Sequence, residues 1–213
     1  AALRGLELLS LADNRLSTLP DAIGSLRGLK DLNLGGNQLT TLPDSIGGLR
    51  DLEKLGVLYN KLVTLPSSIG SLVSLQHLWL YGNMLTDVPA SIGHLSSLVE
   101  LNLGDNKLTV LPESIGALTK LEFLWIFKNR ITVLPNAICS LTGLKKLSLK
   151  GNPLVRQSSA VDAYLSSLGL SVGGAERAAA TVVAGATVVA NAEAGAAGAV
   201  CVAAALVSQQ LNE

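Results

Sequence analysis

Lys54, His77 and Glu100 follow one another at a single 23-residue interval. An amine, an imidazole and a carboxylate at one repeated offset are raw material for acid–base chemistry. Such chemistry also needs a nucleophile or an enclosed pocket, and neither accompanies these residues; the sequence has no Walker A stretch, GxGxxG loop or HExxH helix. The other histidine, His94, falls in a different part of the 23-residue frame, so the two imidazoles are not placed to share a metal. Cys139 and Cys201 stand far apart in the chain, which excludes a CxxC-type zinc site and a disulfide-stapled scaffold. The three charged side chains read as a surface ladder. The chain reads as a non-enzyme, with no catalytic residue, cofactor or metal ligand assigned.

Contact chemistry is better supported. Of the seven aromatic residues, six (Tyr59, Trp79, Tyr81, Phe123, Trp125 and Phe127) stand six, four, two or one residues before Asn60, Asn83 or Asn129. Lys128, Lys146 and Lys150 occupy the same slots before Asn129 and Asn152. Exposed aromatics cost solubility unless covered, and Trp and Tyr are enriched at binding hot spots. These nine residues are the expected partner-binding set. Trp79 and Trp125 share one slot two repeats apart, roughly 10 Å if each repeat gives one strand, with Asn102 between them. The competing reading is a ladder that only stabilises neighbouring strands.

The elements that must position these side chains follow from one ruler. Asn14, Asn37, Asn60, Asn83, Asn106, Asn129 and Asn152 recur at the same 23-residue interval, each framed by apolar residues in the pattern LxxLxLxxNxL. Leu6, Leu9, Leu11 and Leu16 frame Asn14; Val57, Val88, Ile126 and Ile131 are conservative departures in other copies. The LxL segment alternates its side chains, so each unit predicts one short strand of a parallel sheet. The flanking leucines stack on their equivalents one turn away, and the asparagine amide turns inward to satisfy buried backbone groups. The second half of each unit reads LPxxIGxL, with prolines at Pro20, Pro43, Pro66, Pro89, Pro112 and Pro135, where no ladder bond is needed; Cys139 replaces the last glycine.

This pattern resembles the leucine-rich repeats of the 23-residue LPxxIGxL type, the Ras-group repeats of Scribble-like scaffolds, over residues 3–154. The resemblance implies an α/β solenoid, a curved horseshoe of seven parallel strands with its aromatic slots on the concave face. It also implies an intracellular, cytoplasmic interaction module or scaffold, with small GTPases or signalling phosphatases as the class of partner.

The ends differ from the array. Leu3-Arg4-Gly5-Leu6 copies Leu26-Arg27-Gly28-Leu29, so an uncapped array, extended or covered at its N-terminal end, is expected. After Leu154 the frame breaks; Ser159-x-x-Asp162 predicts a capping box, and Val161, Tyr164, Leu165 and Leu168 follow at helical spacing before Gly169. The expected organisation is a repeat domain over 1–156, a cap helix and linker over 157–174, and an Ala/Val-rich tail over 175–213, read as helical. Disorder or β structure is the alternative for the tail, because Thr181-Val-Val-Ala-Gly-Ala is echoed by Thr187-Val-Val-Ala-Asn-Ala at period six. Residues 178–207 contain 14 Ala and 7 Val with Glu193 as the one charge. A run of that length could reach across a bilayer, but Ala inserts weakly and a central acid opposes insertion. A membrane-bound accessory subunit anchored by this tail is therefore the alternative to a soluble scaffold.

Charge gives the partner's sign. The whole chain is balanced, 16 basic against 16 acidic groups, so no nucleic acid partner is expected. Residues 120–156 carry seven basic groups against Glu122 alone. A basic rim beside aromatic anchors suits a protein partner with an acidic segment; the competing reading is a solvated end of the solenoid.

Overall fold

The structure is a computed structural model that describes residues 5–170 and the backbone of 181–183. Seven three-residue strands pair in parallel and in chain order: β1 (Leu8–Ser10), β2 (Asp31–Asn33), β3 (Lys54–Gly56), β4 (His77–Trp79), β5 (Glu100–Asn102), β6 (Phe123–Trp125) and β7 (Lys146–Ser148). Register follows the repeat ruler without slip, so Leu9, Leu32, Leu55, Leu78, Leu101, Leu124 and Leu147 form one inward column. Each of the first six strands returns through a 3₁₀ turn opened by the repeat's proline: Asp21–Ser25, Asp44–Gly48, Ser67–Ser71, Ala90–His94, Glu113–Ala117 and Asn136–Ser140. The proline's missing N–H costs nothing there, while its carbonyl accepts the first turn bond, as from Ile69 to Pro66 at 3.0 Å.

Leucine, isoleucine and valine from every repeat merge into one continuous core. At the first repeat Leu6, Leu9, Leu11 and Leu16 are only half-buried and Leu8 is 52% exposed. The asparagine spine forms as the sequence implies. Asn83 donates from Nδ2 to the Val57 carbonyl one repeat back at 2.8 Å and to the Leu80 carbonyl at 2.9 Å, and its Oδ1 accepts the Leu62 N–H at 3.0 Å. These groups lie away from water, so each unmade bond would carry a desolvation cost.

The glycine of LPxxIGxL is explained by the return face. A Cβ on Gly93 would meet the Ser114 carbonyl oxygen at 2.5 Å, and Gly24, Gly47, Gly70 and Gly116 face the next repeat in the same way. Cys139 can replace the glycine because no further 3₁₀ turn follows among the described residues; helix α1 (Ser159–Ser167) lies against Asn136–Ser140 instead.

Helix α1 starts one residue earlier than the capping-box reading implies. Ser158, not Ser159, is the cap, and its Oγ accepts the Val161 N–H at 3.3 Å. Gly169 has φ +75° and donates to the Ser166 carbonyl, and Leu170 donates to the Leu165 carbonyl, the paired bonds of a Schellman end. Gln157, where the frame breaks, is buried; its Oε1 accepts the Leu134 N–H at 2.8 Å and its Nε2 donates to the Thr132 carbonyl. In the tail, for which the sequence suggests helix, Thr181–Val183 form a further strand, β8, antiparallel to β7, with Val183 opposite Lys146. Pairing of this kind occupies the outer hydrogen-bonding edge of β7. The rest of the tail, including most of the 178–207 run, lies outside the described residues.

Candidate functional site

The open face of the sheet displays four columns, six, four, two and one residues before each spine asparagine. The first reads Leu8, Asp31, Lys54, His77, Glu100, Phe123, Lys146 across the sheet. His77 Nδ1 lies 3.2 Å from Glu100 Oε2, and the imidazole stacks on Trp79 at 5.4 Å between ring centroids. The ladder reading of Lys54, His77 and Glu100 is the one this geometry supports. Burial pushes the Asp31 carboxyl up, against the opposing pull of Lys54 and His77. Among the described residues no group of three or more metal-ligating side chains is gathered.

The second column pairs Trp79 with Asn102 and Asn102 with Trp125, as the spacing requires. The gap between the tryptophans is closed, however. Asn102 is only 4% exposed, and its Oδ1 accepts the Gly104 N–H at 3.0 Å. Both tryptophans remain half-buried, and Trp79 Nε1 is buried with no hydrogen-bond partner among the described residues. Lys146 Nζ stands 4.5 Å over the Trp125 ring, a cation–π contact of about 0.5–2 kcal/mol. Its partial burial holds the Lys146 ammonium below the usual lysine range. Lys146 therefore belongs to the floor, and Lys128 and Lys150 are left as the rim.

The third column corrects the sequence reading. Spacing alone puts Tyr81 and Phe127 on an exposed surface, yet Tyr81 is 9% and Phe127 1% exposed. Gly104 stands between them in the column, and without a side chain there Phe127 leans across to meet Tyr81 at 5.7 Å between centroids. Leu58 joins them, with Trp79 and Trp125 against the outside, in an apolar cluster separate from the leucine core. Neither Tyr81 nor Phe127 can serve as a primary contact. The accessible aromatics are Tyr59, which is 50% exposed, and the half-buried Trp79, Phe123 and Trp125.

The fourth column holds a feature that residue typing alone misses. Its residues Asp13, Gly36, Tyr59, Gly82, Asp105, Lys128 and Gly151 all have positive φ, between 49° and 75°. Glycine and aspartate tolerate this left-handed conformation; for tyrosine and lysine it costs about 1–2 kcal/mol. Tyr59 lies over Gly82, where a Cβ would meet its Cδ1 at 2.8 Å, and packs edge-on to Tyr81 at 5.1 Å. Lys128 lies beside Gly151, where a Cβ would meet its Cα, Cγ and N at 3.3 Å. A sequence signal was available: three of the seven residues in this slot are glycine.

With the repeat geometry in place, comparison with known proteins is direct. The family described as a leucine-rich repeat region matches residues 1–84 and 70–169. The chain is a leucine-rich-repeat protein. It is 37% identical to a leucine-rich-repeat protein of Leptospira interrogans, covering 75% of this chain and 47% of that one at a TM-score of 0.57. It is 36% identical to the Arabidopsis receptor kinase HAESA, solved with the peptide hormone IDA and a co-receptor, covering 70% of this chain and 26% of that one at a TM-score of 0.63. It is 30% identical to the leucine-rich-repeat ectodomain of the Arabidopsis thaliana receptor kinase GASSHO1/SCHENGEN3, solved with CASPARIAN STRIP INTEGRITY FACTOR 2, over 71% of this chain and 19% of that one at a TM-score of 0.66. The leucine-rich-repeat chain thus spans less than half the length of each of these relatives. A search of curated proteins gives no match. The repeat array is an interaction fold in these receptors, which hold peptides or proteins.

Proposed function

We propose that this chain is a non-catalytic protein-interaction module, a scaffold of the intracellular 23-residue LPxxIGxL type, that holds a partner segment on the open face of its sheet. The observation that carries this reading is the placement of Tyr59, Trp79, Phe123 and Trp125 on one face, each with accessible surface and none in the leucine core. Trp79, Trp125 and Tyr59 supply desolvated contact. Lys128 and Lys150 supply charge toward an acidic segment of the partner. Peptide capture by the receptors of similar fold supports the same use of the array.

Affinity capture with the full chain, its Trp79→Ala/Trp125→Ala variant and Arg50→Ala on the opposite flank tests it. A partner held by the wild type and by Arg50→Ala, and released by the double variant, supports the face. Trp125→Ala alone is expected to cost at least about 2 kcal/mol of affinity, mainly through faster dissociation. Retention by the double variant together with loss at Arg50→Ala places the partner elsewhere.

A second reading rests on composition. The Ala/Val-rich run at 178–207 would anchor a structural subunit of a larger assembly to a membrane. Among the described residues no helix is long and apolar enough to cross a membrane, so the tail alone would carry this role. Liposome flotation with and without residues 175–213 separates the two readings: tail-dependent flotation favours the anchor, and its absence favours the scaffold.

A further inference from the structure

We propose that Tyr59 and Lys128 form the recognition pair of this face, selecting an extended peptide in which a bulky apolar side chain and a carboxylate lie about four residues apart. The inference rests on the sheet face being the binding surface.

Every repeat demands a left-handed residue just before its spine asparagine. Glycine at 36, 82 and 151 and aspartate at 13 and 105 meet that demand with little strain. Tyr59 and Lys128 do not, at φ 51° and 49°. The backbone does not require them: both are exposed, and glycine serves the same slot one repeat further along in each case. Strain kept on exposed side chains marks positions held for what they touch.

Their surroundings set the chemistry. Tyr59 rests on Gly82 and against the edge of Tyr81, so its orientation is fixed while half its surface stays open. Lys128 makes no ion pair among the described residues and neighbours Lys150, whose carbonyl accepts the Lys128 N–H at 2.6 Å. Lys145 is already paired with Glu122 at 2.7 Å, and Lys146 is committed to Trp125, which leaves Lys128 and Lys150 to meet an acid. Asp105 precedes Lys128 in the same row, so a carboxylate sits best on the Lys150 side. Tyr59 and Lys128 are three repeats apart, roughly 14 Å at the usual strand spacing, and an extended peptide covers that in about four residues.

The test is selection of a display library of linear peptides against the full chain, followed by binding and unfolding of Tyr59→Gly and Lys128→Gly. The expected result is a selected motif with an apolar or aromatic residue and Asp or Glu three to five positions apart (about 14 Å). Each glycine variant should weaken those peptides at least about tenfold, a hot-spot-sized loss, and Lys128→Gly, but not Tyr59→Gly, should lower the salt dependence of binding. Both variants should unfold at the same or higher denaturant concentration, because glycine suits the backbone. If Tyr59→Gly unfolds earlier through loss of its contact with Tyr81, Lys128→Gly decides, since Lys128 belongs to neither core cluster. Peptides that depend on Trp79 and Trp125 but bind both glycine variants normally overturn the recognition pair and leave the face standing. Peptides insensitive to all four residues, or no selected peptide, overturn both.

Discussion

Phe127 occupies the space that a side chain at Gly104 would need: a Cβ there would lie 2.5 Å from Phe127 Cε1 and 2.6 Å from Cζ. That space lets two aromatic rings from strands two repeats apart meet, and it turns an expected contact residue into a second, smaller core.

Phe127→Ala is accordingly expected to act on stability. With its ring 1% exposed, truncation should cost about 3 kcal/mol in denaturant unfolding. Trp125→Ala, on the outer side of the same cluster, should cost clearly less. Equal and small losses would mean that the cluster contributes nothing to folding.

Gly93→Ala should destabilise by about 1–3 kcal/mol, because the Ser114 carbonyl stands 2.5 Å from the new Cβ and backbone must move. Gly143→Ala is the control; its nearest neighbour, the Thr119 carbonyl oxygen, is 3.6 Å away. Indistinguishable unfolding midpoints for the two variants would refute the close-approach account of the repeat glycine.

Asn83→Ala should lose about 1–3 kcal/mol by leaving the Leu62 N–H unpaired away from water and by taking from the Val57 carbonyl the shorter of its two asparagine bonds, so that only Asn60 Nδ2 at 3.4 Å remains on it. Wild-type melting in this variant would sink the spine.

Ser45, Ser68, Ser91 and Ser114 bury hydroxyls that have no hydrogen-bond partner among the described residues, whereas Ala22 and Ala137 hold the same slot in the flanking repeats. Ser91→Ala should therefore leave stability unchanged or raise it by up to about 1 kcal/mol. A clear loss on calorimetry would show that the hydroxyl is satisfied in solution.

Alkaline stability should fall in a defined window. Burial pushes the Tyr81 hydroxyl up to about 12, helped by Tyr59 and Asp105, and burial with Cys139 does the same for Tyr164. An unfolded tyrosine ionises near pH 10. Below that value both states keep the proton and stability is full; between about pH 10 and 12 only the unfolded chain ionises, so stability drops. Phenolate absorbance followed alongside unfolding should show these tyrosines ionising late. Normal ionisation of all tyrosines in the folded protein would contradict the burial.

The repeat ruler by itself determined the strand count, the register, the inward leucine column and the asparagine spine, because each depends only on equal spacing along a chain that must bury one face. Spacing also put Trp79, Asn102 and Trp125 in one column. It could not say which columns stay open. Burial of Tyr81 and Phe127 depends on Gly104, one full repeat from each along the sequence and one strand away in space. Strain at Tyr59 and Lys128 is a backbone property set by the turn that every repeat must make, and residue type alone is blind to it. The cap moved from Ser159 to Ser158 for a similar reason, since which serine accepts the Val161 N–H depends on how α1 meets Asn136–Ser140. Composition suggested helix for the tail while the β-branched Thr181-Val-Val echo left β structure open; Thr181–Val183 pair with β7, because the last strand of a parallel array offers an unpaired edge that such a segment can fill.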